Sequence, residues 1–160
     1  MRLALVRHAD AGSRAAWTGP DHARPLVAHG DEQAEAIAHF LAGVFTPGAV
    51  TVASSPAVRC RSTVTPAAGA LGVTVDDDPR LFEGTREIQH ADLLTELLAL
   101  EADTVICSHG DVIPSLLTLA IDDGLRPAAP LAWHKASVWL LDHDGHGWTT
   151  GTYHRPAHRR

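Results

Sequence analysis

The stretch Arg2-Leu3-Ala4-Leu5-Val6-Arg7-His8 decides how the chain folds. Its apolar run is short, nearly continuous and free of polar alternation, which is the pattern of a strand buried on both faces of a parallel sheet. An arginine and a histidine leave the end of that strand together. Open α/β sheets bind ligands outside the carboxyl ends of their strands, so Arg7 and His8 stand at a candidate site from the outset. The segment Val105-Ile106-Cys107-Ser108-His109-Gly110 repeats the arrangement, with His109 at the end of another apolar run. Paired strand-end histidines beside arginines suit phosphoryl transfer, because imidazole can attack phosphorus and guanidinium can hold its oxygens.

The rest of the chain alternates strand and helix signals. Residues 49–53 and 73–75 read as further strands, and residues 103–107 as the strand that carries His109. Helical spacing marks Ala34, Ile37, Phe40, Leu41 and Val44, in a helix expected to start near Asp31 with the Asp31 carboxylate as its cap. A second helix is expected over residues 56–70, capped by the hydroxyls of Ser54-Ser55 before Pro56 and interrupted or shortened by Pro66. Ile88, Ala91, Leu94, Leu97 and Leu98 mark a third, and a largely apolar fourth runs from a capping Asp111 to about residue 121. Residues 9–30, rich in breakers, read as a long loop of the kind that is usually functional or mobile. Residues 136–141 and 148–153 flank an Asp144-Gly145 turn as a terminal antiparallel hairpin. The expected fold is therefore a three-layer α/β/α sandwich with a mainly parallel central sheet and a C-terminal antiparallel hairpin. Residues 1–155 are expected to form a single domain, with 156–160 as a basic tail.

Composition narrows the function classes. The chain has 160 residues, 45% of them hydrophobic, and a mean hydropathy of −0.03, ordinary values for a soluble domain with a proper core. No apolar run is long enough to span a bilayer and the N-terminus does not read as a signal peptide, so a cytoplasmic location is expected. The net charge of −6 argues against binding nucleic-acid polymers or anionic membranes. It leaves room for a local phosphate site built by convergent arginines. Cys60 and Cys107 lack paired spacing and read as small core thiols rather than a disulfide. The chain has 11 histidines; those at His143, His146, His154 and His158 lack the company and spacing of a zinc site.

Ser54-Ser55 joins Arg7-His8 and Ser108-His109-Gly110 at the strand ends, so polar groups from separate strands meet on one rim. Arg59 lies one turn into the following helix and is placed to point back to that rim, whereas Arg61 points elsewhere. Trp17 in the long loop fits either stacking on a substrate ring or pinning the loop. No Gly-x-Ser-x-Gly elbow is present, which disfavours a serine hydrolase.

These motifs resemble those of the histidine phosphatase superfamily. Leu5-Val6-Arg7-His8-Ala9-Asp10-Ala11 is similar to its RHG-type signature, with Ala9 where glycine is usual. Ser55-Pro56-Ala57-Val58-Arg59-Cys60-Arg61-Ser62-Thr63 resembles the second motif, S-P-x-x-R-x-x-x-T, and Ser108-His109-Gly110 the third. The short length and Arg24-Pro25-Leu26 followed by Gly30 resemble the small SixA-like branch, and the layout is similar to phosphatase domains fused to some bacterial Nudix hydrolases. The resemblance implies that His8 is the nucleophile of a phosphohistidine intermediate and that Arg7, Arg59 and His109 hold the phosphoryl oxygens. His8 must then be neutral, with its other ring nitrogen donating to backbone. The scheme needs no cofactor and no metal. Glu83 stands where many family members keep a proton-donating glutamate, a role that needs burial to raise its pKa; the lesser alternative is a surface loop glutamate, with Glu87 as the nearest substitute. SixA-like proteins often lack this carboxylate, so Glu83 favours a phosphomonoester, a small metabolite or nucleotide, over a phosphoprotein. Arg24 is a candidate substrate contact or a plain surface residue. The alternatives are a SixA-like protein phosphohistidine phosphatase and a non-catalytic phosphate-binding module.

Overall fold

The computed structural model describes residues 1–157; of the expected basic tail, residues 158–160 lie outside the described residues. Strand β1 spans Arg2–Arg7, β2 Thr51–Ser54, β3 Val75–Asp77, β4 Thr104–Ser108, β5 Val138–His143 and β6 Trp148–His154. They form one six-stranded sheet in the order β3-β2-β4-β1-β5-β6. The pairs β2–β3, β2–β4 and β1–β4 are parallel, and β5 joins β1 and β6 antiparallel, so the expected C-terminal hairpin is present.

Helices α1 (Ala28–Ala42) and α2 (Val58–Leu71) pack on one face, and α3 (Glu87–Leu100) and α4 (Val112–Asp122) on the other. The alternation within β1 fixes this division, because successive strand side chains point to opposite faces. Ala4 and Val6 join Ile37, Leu41, Val64 and Leu71 in one buried cluster. Leu3 and Leu5 join Leu93, Leu97, Ile113, Leu116 and Leu117 in the other. Right-handed crossovers account for the sides taken. The steps from β1 to β2 and from β2 to β3 run toward one sheet edge, and the step from β3 back to β4 reverses direction, carrying α3 to the opposite face.

Register then levels the strand ends. Arg7 is paired with Ser108 and Ser54 with Cys107, and the His8 amide donates to the Ser108 carbonyl at 3.0 Å. His8, Ser55 and His109, each one residue beyond its strand, therefore emerge side by side.

Several local features differ from expectation. Helix α1 starts at Ala28 rather than Asp31, with Val27 as its uncapped N-terminal neighbour and Asp31 inside the first turn, where its charge suits the helix dipole. The start is set by tertiary contact: the Val27 amide donates to the Asp10 carbonyl at 3.0 Å. The 9–30 loop is shorter than expected and contains two 3-10 turns, Arg14–Ala16 and Asp21–Ala23. Pro66 lies inside α2 without ending it, and Gly72 at φ 69 terminates the helix in the left-handed conformation. Strand β3 falls two residues later than expected. Neither serine caps α2 and Asp111 does not cap α4; Ser54 Oγ donates to the Ser55 carbonyl at 2.8 Å, and the partners of Ser55 and Asp111 belong to the site described next.

Candidate active site

Arg7 and His8 leave β1 into a crowded rim. His8 is almost fully buried, and its Nδ1 lies 2.8 Å from the carbonyl of Ala9. A carbonyl only accepts, so Nδ1 carries the hydrogen and Nε2 keeps its lone pair. Burial, reinforced by the charges of His109, Arg59 and Arg7, lowers the His8 pKa to about 3, even though the Ala9 bond opposes it. The imidazole is neutral throughout the physiological range, as a nucleophile requires.

That shift has a stability consequence. The unfolded chain takes up this proton near the ordinary 6.5 and the folded chain only near 3. Between those values the unfolded state binds more protons, so the contribution of His8 to stability falls as pH drops from about 6.5 toward 3. Imidazole NMR is expected to show no His8 titration between about pH 5 and 8. A His8 midpoint near 6.5 would contradict the buried, neutral ring.

His109 leaves β4 next to it, with ring centroids 5.4 Å apart and planes at 66°. Phe82 closes the far side of the His109 ring at 5.8 Å. Ser55 Oγ lies 2.8 Å from His109 Nε2 and also accepts from the Ala57 amide at 3.3 Å, just before α2. A hydroxyl both donates and accepts, so Ser55 suits either His109 tautomer. Cys60 Sγ is 3.5 Å from the same nitrogen. On the other side of the ring, Arg59 Nη2 approaches Nδ1 at 3.3 Å.

The arginines differ in what holds them. Arg7 Nη1 donates to the Trp133 carbonyl at 2.6 Å, and burial pulls its pKa below the ordinary arginine value. Gly110 leaves space for this guanidinium; a Cβ there would stand 2.9 Å from Arg7 Cζ. Arg59 is fully buried and donates to the Asp21 carbonyl at 2.8 Å and to Glu83 Oε1 at 3.1 Å. Arg7 Nε and Arg59 Nε are both buried and have no hydrogen-bond partner among the described residues. Unpaired buried donors on two cations are costly in isolation and suit a site that receives an anion.

Glu83 lies on this rim but is not buried: its side chain is 32% exposed and paired with Arg14 and Arg59. Its Oε2 is 3.9 Å from His109 Nδ1. The loop around it is pinned by Asp111, whose Oδ2 accepts from the Gly84 amide at 2.7 Å instead of capping α4. Ser108 Oγ adds a second tie, donating to the Leu81 carbonyl at 2.7 Å. Arg24 is buried in the 9–27 loop, where Nη1 donates to the Ala11 carbonyl at 2.8 Å and Nε to Asp21 at 3.0 Å. Its guanidinium holds the loop together rather than standing open on the rim. Trp17 covers Gly19 and donates to the Pro20 carbonyl at 3.0 Å, beside a cavity of about 220 Å³ lined by Ala11, Arg24 and Val27.

Sequence reasoning missed Asp21, Arg14 and the role of Thr63. Thr63 Oγ1 accepts from the Ala9 amide at 2.9 Å and donates to the Arg59 carbonyl at 2.7 Å, linking the segment after His8 to α2. Its place in the quoted S-P-x-x-R-x-x-x-T pattern was the available signal. Among the described residues no group of three or more His, Cys, Asp or Glu side chains is arranged to hold a metal ion. Among them, too, no helix is long and apolar enough to cross a membrane.

Residues 3–96 match the family model of the histidine phosphatase superfamily, branch 1. The chain belongs to that superfamily. A curated relative, an 8-oxo-(d)GTP phosphatase from Mycolicibacterium smegmatis, is 32% identical over 140 residues. That alignment covers 86% of this chain but only 42% of the relative, so the chain spans less than half of the relative's length. Among solved structures, the protein histidine phosphatase SixA complexed with tungstate shares the superfamily fold with a TM-score of 0.72 at 20% identity, covering 96% of this chain and 94% of SixA. A mycobacterial glucosyl-3-phosphoglycerate phosphatase, complexed with VO3, gives 0.71 at 19% identity with 96% of both chains covered. At these identities the likeness establishes the fold.

Proposed function

We propose that this chain is a metal-independent phosphohydrolase that works through a phosphohistidine on His8, acting on a phosphomonoester of a small metabolite or nucleotide. One observation carries the reading. A neutral imidazole with its Nδ1 committed to Ala9 stands beside two buried guanidinium groups whose Nε donors lack partners among the described residues.

In the first step the His8 Nε2 lone pair attacks phosphorus, an N–P bond forms and the bond to the leaving oxygen breaks. Arg7, Arg59 and His109 hold the phosphoryl oxygens and oppose the charge that develops on them. The departing alkoxide takes a proton from Glu83, which regains it from solvent. Water then attacks phosphorus, the N–P bond breaks with its electron pair returning to His8 Nε2, and the water's protons leave with the phosphate. Position on the rim beside His109 and Arg59 supports this assignment. The burial expected of such an acid does not, because Glu83 is partly exposed and paired with Arg14 and Arg59. Arg24 serves by holding the loop that borders the site. The 8-oxo-(d)GTP phosphatase named above supports a nucleotide as the first substrate to test.

Glu83→Gln is the deciding variant. An ester expels alkoxide and depends on the acid, whereas phosphohistidine expels imidazole, a better leaving group. The substitution is expected to lower kcat for a nucleoside monophosphate or another alkyl phosphate by about 10²–10⁴ while sparing hydrolysis of a phosphohistidine protein. Equal losses on both substrates would overturn the preference for esters and favour the phosphohistidine phosphatase. Phosphate binding without turnover by the wild-type chain would leave only the non-catalytic module.

A further inference from the structure

The geometry points to Asp21 as a positioning residue for catalysis: it aims the Arg59 guanidinium at the phosphoryl site and couples that aim to the 9–27 loop. This rests on the phosphohydrolase reading above.

Asp21 reaches Arg59 twice. Its main-chain carbonyl accepts from Arg59 Nη1 at 2.8 Å, and its Oδ2 lies 3.2 Å from Nη2. The same Nη2 approaches His109 Nδ1, so the two Asp21 contacts fix the plane of a guanidinium that touches the second histidine. Glu83 holds only Nη2 and would leave the plane free to rotate about that contact. The remaining Asp21 capacity is filled by other cations. Oδ1 accepts from Arg24 Nε at 3.0 Å and Arg14 Nε at 3.1 Å, and Oδ2 accepts from Arg14 Nη2 at 3.0 Å.

Arg24 is anchored in turn to the Ala11 and Gly12 carbonyls, at 2.8 and 3.2 Å. A chain of bonds therefore runs from the segment just after the nucleophile, through Arg24 and Asp21, to Arg59 and His109. Burial alone would push the Asp21 carboxyl up, but the Arg24 bond and the Arg59 charge outweigh it and hold the pKa well below the usual carboxylate range. An anion permanently engaged by guanidinium groups, with no spare donor, is unsuited to touching a phosphoryl oxygen itself. Its effect on the reaction passes through Arg59.

A double-mutant cycle tests this. Asp21→Asn, close to isosteric and with the main-chain carbonyl intact, is expected to lower kcat on an aryl phosphate about tenfold with little change in KM. Arg59→Lys keeps the buried site cationic but cannot use the Asp21 geometry. In that background Asp21→Asn is expected to change kcat by less than about twofold. Losses that multiply, a wild-type kcat in Asp21→Asn, or a loss confined to KM would each overturn the role. If Asp21→Asn does not fold by thermal melting, Asp21→Ser carries the same cycle with the same expectations. Absence of wild-type turnover on every phosphoester and phosphohistidine would remove the phosphohydrolase reading itself; wild-type turnover with an unaffected Asp21→Asn removes only the positioning role.

Discussion

Alanine at His8 is expected to abolish turnover, lowering kcat by about 10⁴ or more, while the variant still binds inorganic phosphate. The asymmetry follows from what His8 supplies. Its Nε2 is an unprotonated lone pair and its pKa sits near 3, so it gives an anion no charge and no donor. The groups proposed to hold oxyanions are Arg7, Arg59 and His109, and all remain in the variant. Losing the nucleophile removes the covalent path, whereas losing a single oxyanion donor typically costs about 10²–10³. Three measurements check this. Steady-state hydrolysis of an aryl phosphate in buffer with EDTA gives the rate. Titration calorimetry with inorganic phosphate gives the binding. Rapid quenching with labelled substrate is expected to trap an acid-labile, alkali-stable phosphoenzyme in the wild type only. Turnover in the variant within tenfold of wild type would eliminate the phosphohistidine route.

The sequence made the centre of this site legible because strand ends in a parallel sheet are ordered by register. Once residues 2–6 and 103–107 read as neighbouring buried strands, Arg7-His8 and Ser108-His109 had to emerge together, and the Arg7–Ser108 pairing shows that they do. Arg59 was accessible by helical periodicity, one turn beyond a strand end. The three layers followed from alternating strand and helix signals.

The frame around the site was harder to read, for a physical reason. Ser55 and Asp111 have the side chains of helix caps, and local rules assign them there. In the fold Asp111 turns to the distant Gly84 amide, and Ser55 shares its oxygen between the Ala57 amide and His109. The distant partners orient both side chains, and neither is visible in one dimension. The α1 boundary has the same origin, since the contact between Val27 and the Asp10 carbonyl sets it. Asp21 and Arg14 belong to a loop without periodicity, where only the spacing of Asp21 and Arg24, three residues apart, hinted at a pair. The loop's ion pairs exist because α2 and the Glu83 turn come to meet it.

Gly30→Ala is expected to destabilise the protein by about 3 kcal/mol, the upper end of ordinary overpacking. A Cβ at position 30 would stand 2.0 Å from the carbonyl oxygen of Asp10, inside any tolerable contact, and the obstacle is backbone rather than a movable side-chain tip. That oxygen is already committed as the acceptor for the Val27 amide. Relief therefore requires moving α1 away from the chain segment two residues past His8. Gly30 has no left-handed φ, so backbone freedom is not why glycine stands here; close approach of helix to loop is. For a chain of this size the loss corresponds to a Tm lower by about 6–12 °C. Denaturant unfolding at neutral pH measures it, with the m-value expected to stay constant. Because Asp10 is also paired with Lys135 and follows the nucleophile directly through Ala9, the folded fraction of Gly30→Ala is expected to lose kcat as well. Wild-type stability in Gly30→Ala would mean that α1 does not pack on the His8 segment in this way, and the account of how the nucleophile is held would fall with it.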